Sequence, residues 1–150
     1  MKYLFILFLI FANNFYGQNV RATESLWDLI RSNSNLKYDS ERIEIIKASD
    51  KYNSNQYLIN RLSKNGQRYL YYTVKEGLRK NLPVELSLIP FVESQFDPYA
   101  RSATGASGIW QFIPSTAREN GLKKNWWYDG RRDIVASTEA AYGFLSKLYE

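Results

Sequence analysis

Between Gln67 and Lys80 the apolar side chains fall at Leu70, Val74 and Leu78, four positions apart, and no stretch of similar length alternates apolar with polar residues. A repeat near 3.6 residues buries one face of a helix, whereas a half-buried strand needs a repeat of two. The chain is therefore expected to be mainly α-helical, and its turn residues show where the helices stop. Leu26, Trp27, Leu29 and Ile30 predict a short amphipathic helix within 20–33, ending in the polar run Ser32-Asn33-Ser34-Asn35. Ile43, Ile46 and Ala48 predict a second over 41–51, and a third over about 55–64 ends at Asn65-Gly66. Asn81-Leu82-Pro83 closes the 67–80 helix and opens another over 83–95, because proline fits a first turn and resists extension of a preceding helix. Further on, Pro114-Ser115-Thr116 opens a helix ended at Gly121, and Asp133 caps a last one through Ile134, Thr138, Ala141, Leu145 and Leu148.

The chemistry open to such a bundle is narrow. A chain of 150 residues fits one domain with a real core, and it contains neither cysteine nor histidine. Disulfides, thiolate zinc sites, thiol nucleophiles and a lipid-modified N-terminal cysteine are excluded, and the usual metal ligand and general base are missing. No metal and no organic cofactor are expected. Residues 1–17 join a cationic start to an apolar run too short for an ordinary membrane span, which reads as a signal peptide or an uncleaved N-terminal anchor. Either assignment exports the working part. The net charge of +5 is concentrated between Arg61 and Lys80, where Arg61, Lys64, Arg68, Lys75, Arg79 and Lys80 face a single acid, Glu76. Such a stripe attracts a nucleic acid, a cell-wall glycan or a lipid surface, or is a solvated helix face; export makes nucleic acid the weakest of these partners.

Against that background the stretch "IPFVESQF" stands out, because Glu93 sits in an apolar run three residues after Pro90. Leu86, Ile89 and Val92 form the apolar stripe of its helix, a proline kink is expected just before it, and Asp97-Pro98 stops the helix. A desolvated carboxyl in such a place holds its proton and can act as a general acid. Two other acids compete for the role. Glu85 lies in a first turn, where an acid complements the helix dipole, and Glu139 neighbours the last apolar stripe as a buried partner or a surface acid. Asp97, in its Asp-Pro setting, favours a turn. Residues 101–108 are small and turn-forming, suited to close approach of a ligand to backbone or to plain connection. The cluster Asn125-Trp126-Trp127-Tyr128 offers faces for sugar rings or for core packing.

A resemblance narrows these alternatives. "PVELSLIPFVESQFDPYARSATGASGIWQFIPSTARENGL" closely resembles the catalytic core of the family 1 lytic transglycosylases, and the similarity extends through "NWWYDGRRDIVASTEAAYGFLSKLY", covering about residues 41–150. Glu93-Ser94 followed by Phe96 is similar to the family's Glu-Ser-x-aromatic motif, whose glutamate is the catalytic acid. Gly108-Ile109-Trp110-Gln111 is similar to the motif that lines the sugar groove. The resemblance implies a lysozyme-like fold of the goose-type lysozyme or soluble lytic transglycosylase kind. It implies Glu93 as the catalytic residue and Ser94, Ser107, Gly108, Gln111 and Ile113 as substrate-binding residues. Ser94 either orients the carboxylate or caps the helix end, and Gln111 either bonds the sugar or satisfies loop backbone. The implied substrate is the glycan strand of peptidoglycan, cut between N-acetylmuramic acid and N-acetylglucosamine by one carboxyl acting as acid and then base, with a 1,6-anhydro product. A water-using muramidase and a non-catalytic glycan-binding remnant are the alternatives.

The implied organisation is a signal or anchor over 1–17, an N-terminal helical segment over 20–80 and a catalytic core over 81–150. That core is expected to be truncated at its C-terminus, since the family's Ala-Tyr-Asn motif would fall beyond Glu150 and Ala141-Tyr142-Gly143 only echoes it. The implied location is the periplasm or cell envelope, with membrane association through the N-terminus.

Overall fold

The computed structural model describes residues 21–34, 43, 47, 50 and 54–149. Among them run five α-helices, α1 (Arg21–Ser32), α2 (Gln56–Arg79), α3 (Ile89–Ser94), α4 (Pro114–Glu119) and α5 (Ile134–Tyr149), with a 3-10 segment at Val84–Leu88. The expected mainly helical fold is present. Strand-type pairing is limited, among the described residues, to isolated bridges joining Arg101 with Ser107, Ser107 with Phe112 and Lys124 with Asp129. The leader expected over 1–17 and most of the helix expected over 41–51 lie outside the described residues, although residues 43, 47 and 50 are helical.

Helix α2 is the spine. Asn55 starts it by accepting the Leu58 N–H on its side-chain oxygen at 3.0 Å, which satisfies one of the orphan donors of a first turn. Ile59, Leu62, Gly66, Leu70, Thr73, Val74 and Gly77 form its buried face. The helix does not stop at Asn65-Gly66 as expected but runs through both for 24 residues. A Cβ on Gly66 would lie 2.8 Å from the tip of the Phe91 ring, so this glycine is a seat for an aromatic from another helix. The intrinsic cost of a helical glycine, about 1 kcal/mol against alanine, is offset by burying that ring.

Gly77 plays the same part toward α5. The hydroxyl of Tyr142 would be 3.1 Å from a Cβ there, and it donates to the Thr73 carbonyl at 2.6 Å. Tyr142 is fully buried, and burial pushes its phenol well above the ordinary tyrosine range. The Trp110 ring meets it edge-on with centroids 5.3 Å apart, while the indole N–H donates to Thr138 Oγ1 at 3.0 Å. Asp133 caps α5 as expected, accepting the Ala136 N–H at 2.9 Å. α4 likewise begins at Pro114, and Gly121 follows its end in a left-handed conformation.

The helix expected over 83–95 is two elements. Residues Val84–Leu88 wind as a 3-10 turn and Pro90 falls in the first turn of α3, where its missing N–H leaves no helical bond unmade. One core joins Trp27 and Ile30 of α1, Leu62 and Val74 of α2, Leu88, Phe91 and Phe96 around α3, and Ile109, Trp110 and Tyr142. Residues from both 20–80 and 81–150 thus share it. Glu85 is buried at 3% exposure and accepts a hydrogen bond from Ser34 Oγ at 2.6 Å. Its carboxylate fastens the end of α1 to the 3-10 turn, a tertiary role added to its expected place in a first turn.

Candidate active site

The candidate acid sits where α3 ends. Gln95 and Phe96 follow it with φ of 54° and 55°, two successive left-handed residues that turn the chain sharply. Such conformations cost about 1–3 kcal/mol each and persist only when neighbours impose them. Three contacts do so. Phe96 is wholly buried and stacks edge-on against Phe91 at 4.6 Å, Phe96 N–H donates to the Pro90 carbonyl at 3.1 Å, and Asn65 Nδ2 on α2 donates to the Gln95 carbonyl at 3.0 Å.

Glu93 itself is exposed, as is Val92 beside it. This overturns the expectation of a carboxyl lodged in apolar surroundings. α3 is six residues long, and its buried face is made by Pro90, Phe91 and Ser94. Val92 and Glu93 take the other side, so the apolar run is only half buried. The buried acid of this region is Glu85. Glu139 is a surface acid.

Ser94 points inward. Its hydroxyl lies 2.9 Å from the Ile109 carbonyl and 3.1 Å from the Pro90 carbonyl, positions between which one donor is shared. The contact draws the end of α3 against the loop carrying Gly108-Ile109-Trp110-Gln111, so both motifs meet through backbone. Within that loop Ile109 and Trp110 are core residues, at 0% and 8% exposure. Gly108 adopts φ of +81°, and a Cβ on it would fall 1.7 Å from the Arg131 carbonyl oxygen; the close approach that small residues permit here is made by the chain's own backbone. Gln111, at φ of 49°, donates from Nε2 to the Gly108 carbonyl at 2.8 Å and toward the Ala100 carbonyl at 3.3 Å. Its amide nitrogen thereby satisfies loop backbone, the second of the two roles open to it. Ser107 is buried and accepts from Arg132 Nε at 3.0 Å, whereas Ile113 is exposed just before α4. Asp97 accepts the Tyr99 N–H at 2.9 Å, the expected turn, and faces Arg61 at 4.0 Å.

An organiser that composition did not disclose is the Asp129–Arg131 pair. Arg131 Nη2 and Nε reach the Asp129 carboxylate at 2.6 and 2.8 Å, and Nη1 donates to the Gly105 carbonyl at 2.8 Å. Both side chains are nearly buried. Hydrogen bonds from Arg131 hold the Asp129 carboxyl below the usual aspartate range, and Asp129 raises the guanidinium in turn. The run Asp-Gly-Arg-Arg-Asp was the available signal, since short-range acid–base spacing permits a fork but does not reveal its burial. Above this pair Trp126 and Trp127 are 85% and 72% exposed with ring centroids 4.4 Å apart. They rim a cavity of about 480 Å³ shared with Tyr99, Arg101, Tyr128 and Arg132, whose lining does not include Glu93. Their exposure excludes the core-packing role.

Residues 71–150 match the family described as Transglycosylase SLT domain. Over 132 residues the chain is 38% identical to membrane-bound lytic murein transglycosylase D of Escherichia coli (strain K12), a match covering 88% of this chain and 29% of that protein, with the same figures for the protein of that name in Escherichia coli O6:H1 (strain CFT073). Over 88 residues it is 43% identical to an Alteromonas sp. (strain M-1) protein named for tributyltin chloride resistance, covering 59% of this chain and 42% of that one. The chain spans under a third of the length of the E. coli relatives. With the Glu-Ser-x-aromatic motif closing α3 against the Gly108–Gln111 loop in a mainly helical, lysozyme-like fold, this chain belongs to the transglycosylase SLT domain family.

Proposed function

We propose that this chain cleaves the glycan strands of peptidoglycan between N-acetylmuramic acid and N-acetylglucosamine as a lytic transglycosylase, with Glu93 as its one catalytic carboxyl. The observation that carries the reading is the joining of the two motifs, by which Ser94 and Ile109 hold Glu93 at the border of the loop. In the reaction Glu93 gives its proton to the bridging oxygen, the bond from the anomeric carbon to that oxygen breaks, and positive charge builds at the anomeric carbon. The 6-hydroxyl oxygen of the same muramic acid bonds to that carbon, and its proton returns to Glu93. No water enters, the product ends in a 1,6-anhydro ring, and the carboxyl is restored.

Exposure of Glu93 suits a polymer that supplies its own cover. A glycan laid across the end of α3 excludes water from the reacting atoms. Ser94, Ser107, Gly108 and Gln111 act beneath the strand by fixing the loop, and exposed Ile113 offers it a contact. The chain works in the cell envelope, in keeping with the export assigned to its first residues.

Mass spectrometry of digested sacculi tests the reading. Anhydro-ended muropeptides are expected from the parent, with a fall of about 10²–10⁴-fold in Glu93→Gln. Reducing ends alone would assign water as the nucleophile, and undiminished digestion by Glu93→Gln would remove the residue from the mechanism.

A further inference from the structure

The face of α2 turned away from the core carries a regular row. Tyr57, Arg61, Lys64, Arg68, Tyr71 and Lys75 are all exposed, and their spacing alternates steps of four and three. At about 100° per residue they lie within about 40° of one line, about 27 Å from first to last. The single acid of the helix, Glu76, is held by Arg79 Nε and Nη2 at 2.9–3.1 Å. Tyr57 and Tyr71 are 74% and 55% exposed, and Lys75 Nζ stands 5.2 Å over the Tyr71 ring. Arg61 has a carboxylate at 4.0 Å, that of Asp97.

The row starts beside the candidate acid. Asp97, which faces Arg61 at 4.0 Å, lies four residues after Glu93, and Asn65 next to Lys64 holds the Gln95 carbonyl. Its first half therefore borders the segment bearing Glu93, and its second half leads away. A convex helix face cannot enclose a small ligand. A straight file of cations with flat rings between them instead matches an extended polymer bearing repeated carboxylates. The peptide stems of peptidoglycan carry such carboxylates along every strand.

We propose that this file is a docking surface, separate from the catalytic carboxyl, for the carboxylates of peptidoglycan peptide stems. It holds stem-bearing strands alongside α2 while Glu93 acts on the sugar, and it rests on the peptidoglycan reading above.

The test is cosedimentation of the full chain and of Lys64→Glu/Arg68→Glu/Lys75→Glu with three surfaces: intact sacculi, sacculi whose stem carboxylates have been converted to amides with a carbodiimide and ammonia, and phosphatidylglycerol vesicles. At low salt the parent is expected to bind intact sacculi roughly tenfold more tightly than amidated ones, a preference that fades as salt rises. The variant, with unchanged circular dichroism, is expected to lose that preference, and the neutral Lys64→Gln/Arg68→Gln/Lys75→Gln to lose most of it. Equal binding of parent and variants to intact sacculi overturns the proposal, as does a loss confined to vesicles, which assigns the row to a lipid surface. Binding is read with Glu93→Gln in every chain, which blocks turnover, and digestion is read with the parent, so the two readings fail separately. A parent that does not digest sacculi while the binding preference for unmodified sacculi holds refutes only the catalytic reading, and a digesting parent without that preference refutes only the docking surface.

Discussion

Replacing Gly108 by alanine probes the packing beneath the loop. The position has φ of +81°, and the added Cβ would sit 1.7 Å from the carbonyl oxygen of Arg131 and 2.6 Å from its carbon. Those are backbone atoms, and Arg131 is anchored through its guanidinium to Asp129 and the Gly105 carbonyl, so they cannot swing aside as a side-chain tip would. The left-handed conformation costs a non-glycine residue about 1–2 kcal/mol, and overpacking adds about 1–3 kcal/mol. A total of about 2–5 kcal/mol follows, a large share of the stability of a small domain. Gly105 is the internal control: its φ is +82°, but a Cβ there meets nothing within 4 Å, so Gly105→Ala should cost only the conformational part. Urea denaturation followed by far-ultraviolet circular dichroism measures both, provided the slopes agree. Gly108→Ala is expected to lose at least about 1 kcal/mol more than Gly105→Ala. Equal losses would show that the contact with Arg131 relaxes freely and that the loop is not pinned from below.

Three further outcomes follow from the same coordinates. Ser94→Ala leaves the Ile109 carbonyl without its side-chain donor, and should lower the unfolding free energy by about 1–3 kcal/mol in the same denaturation assay. Tyr142→Phe removes the second donor to the Thr73 carbonyl, which keeps its helical bond, and should cost about 0.5–1.5 kcal/mol, read as a drop in Tm with near-ultraviolet circular dichroism otherwise retained. Because Arg131 lowers the Asp129 carboxyl in the folded chain, the stability it contributes is complete above the ordinary aspartate value near 4 and is lost as pH falls through the folded value; Asp129→Asn should flatten that part of the acid-unfolding curve.

Helix existence was legible in the sequence because periodicity and caps are local. Asp133, Pro114 and Gly121 act through backbone a few residues away, and each does in the fold what its type implies. Gly66 misled because its reason is Phe91, 25 positions later; a glycine that ends a helix and one that seats a ring look alike from nearby residues. The two glutamates show the same limit. An apolar neighbourhood in sequence suggested burial for Glu93, yet α3 is too short to bury both sides, and the carboxylate enclosed is Glu85, met by a serine 51 positions earlier. Motif identity pointed to a candidate site, while inward and outward directions came only from packing. The buried fork between Asp129 and Arg131 was invisible for the same reason, since its other partners are carbonyls of a loop some twenty residues before it.

That fork has a mechanical consequence. One guanidinium grips Asp129 on one side and the carbonyls of Gly105 and Phe112 on the other, which couples the tryptophan-bearing lobe to the stretch from 105 to 112 as a single block. A load on Trp126 would tilt the ground beneath Gln111 too, so a substitution in one region is felt in the other.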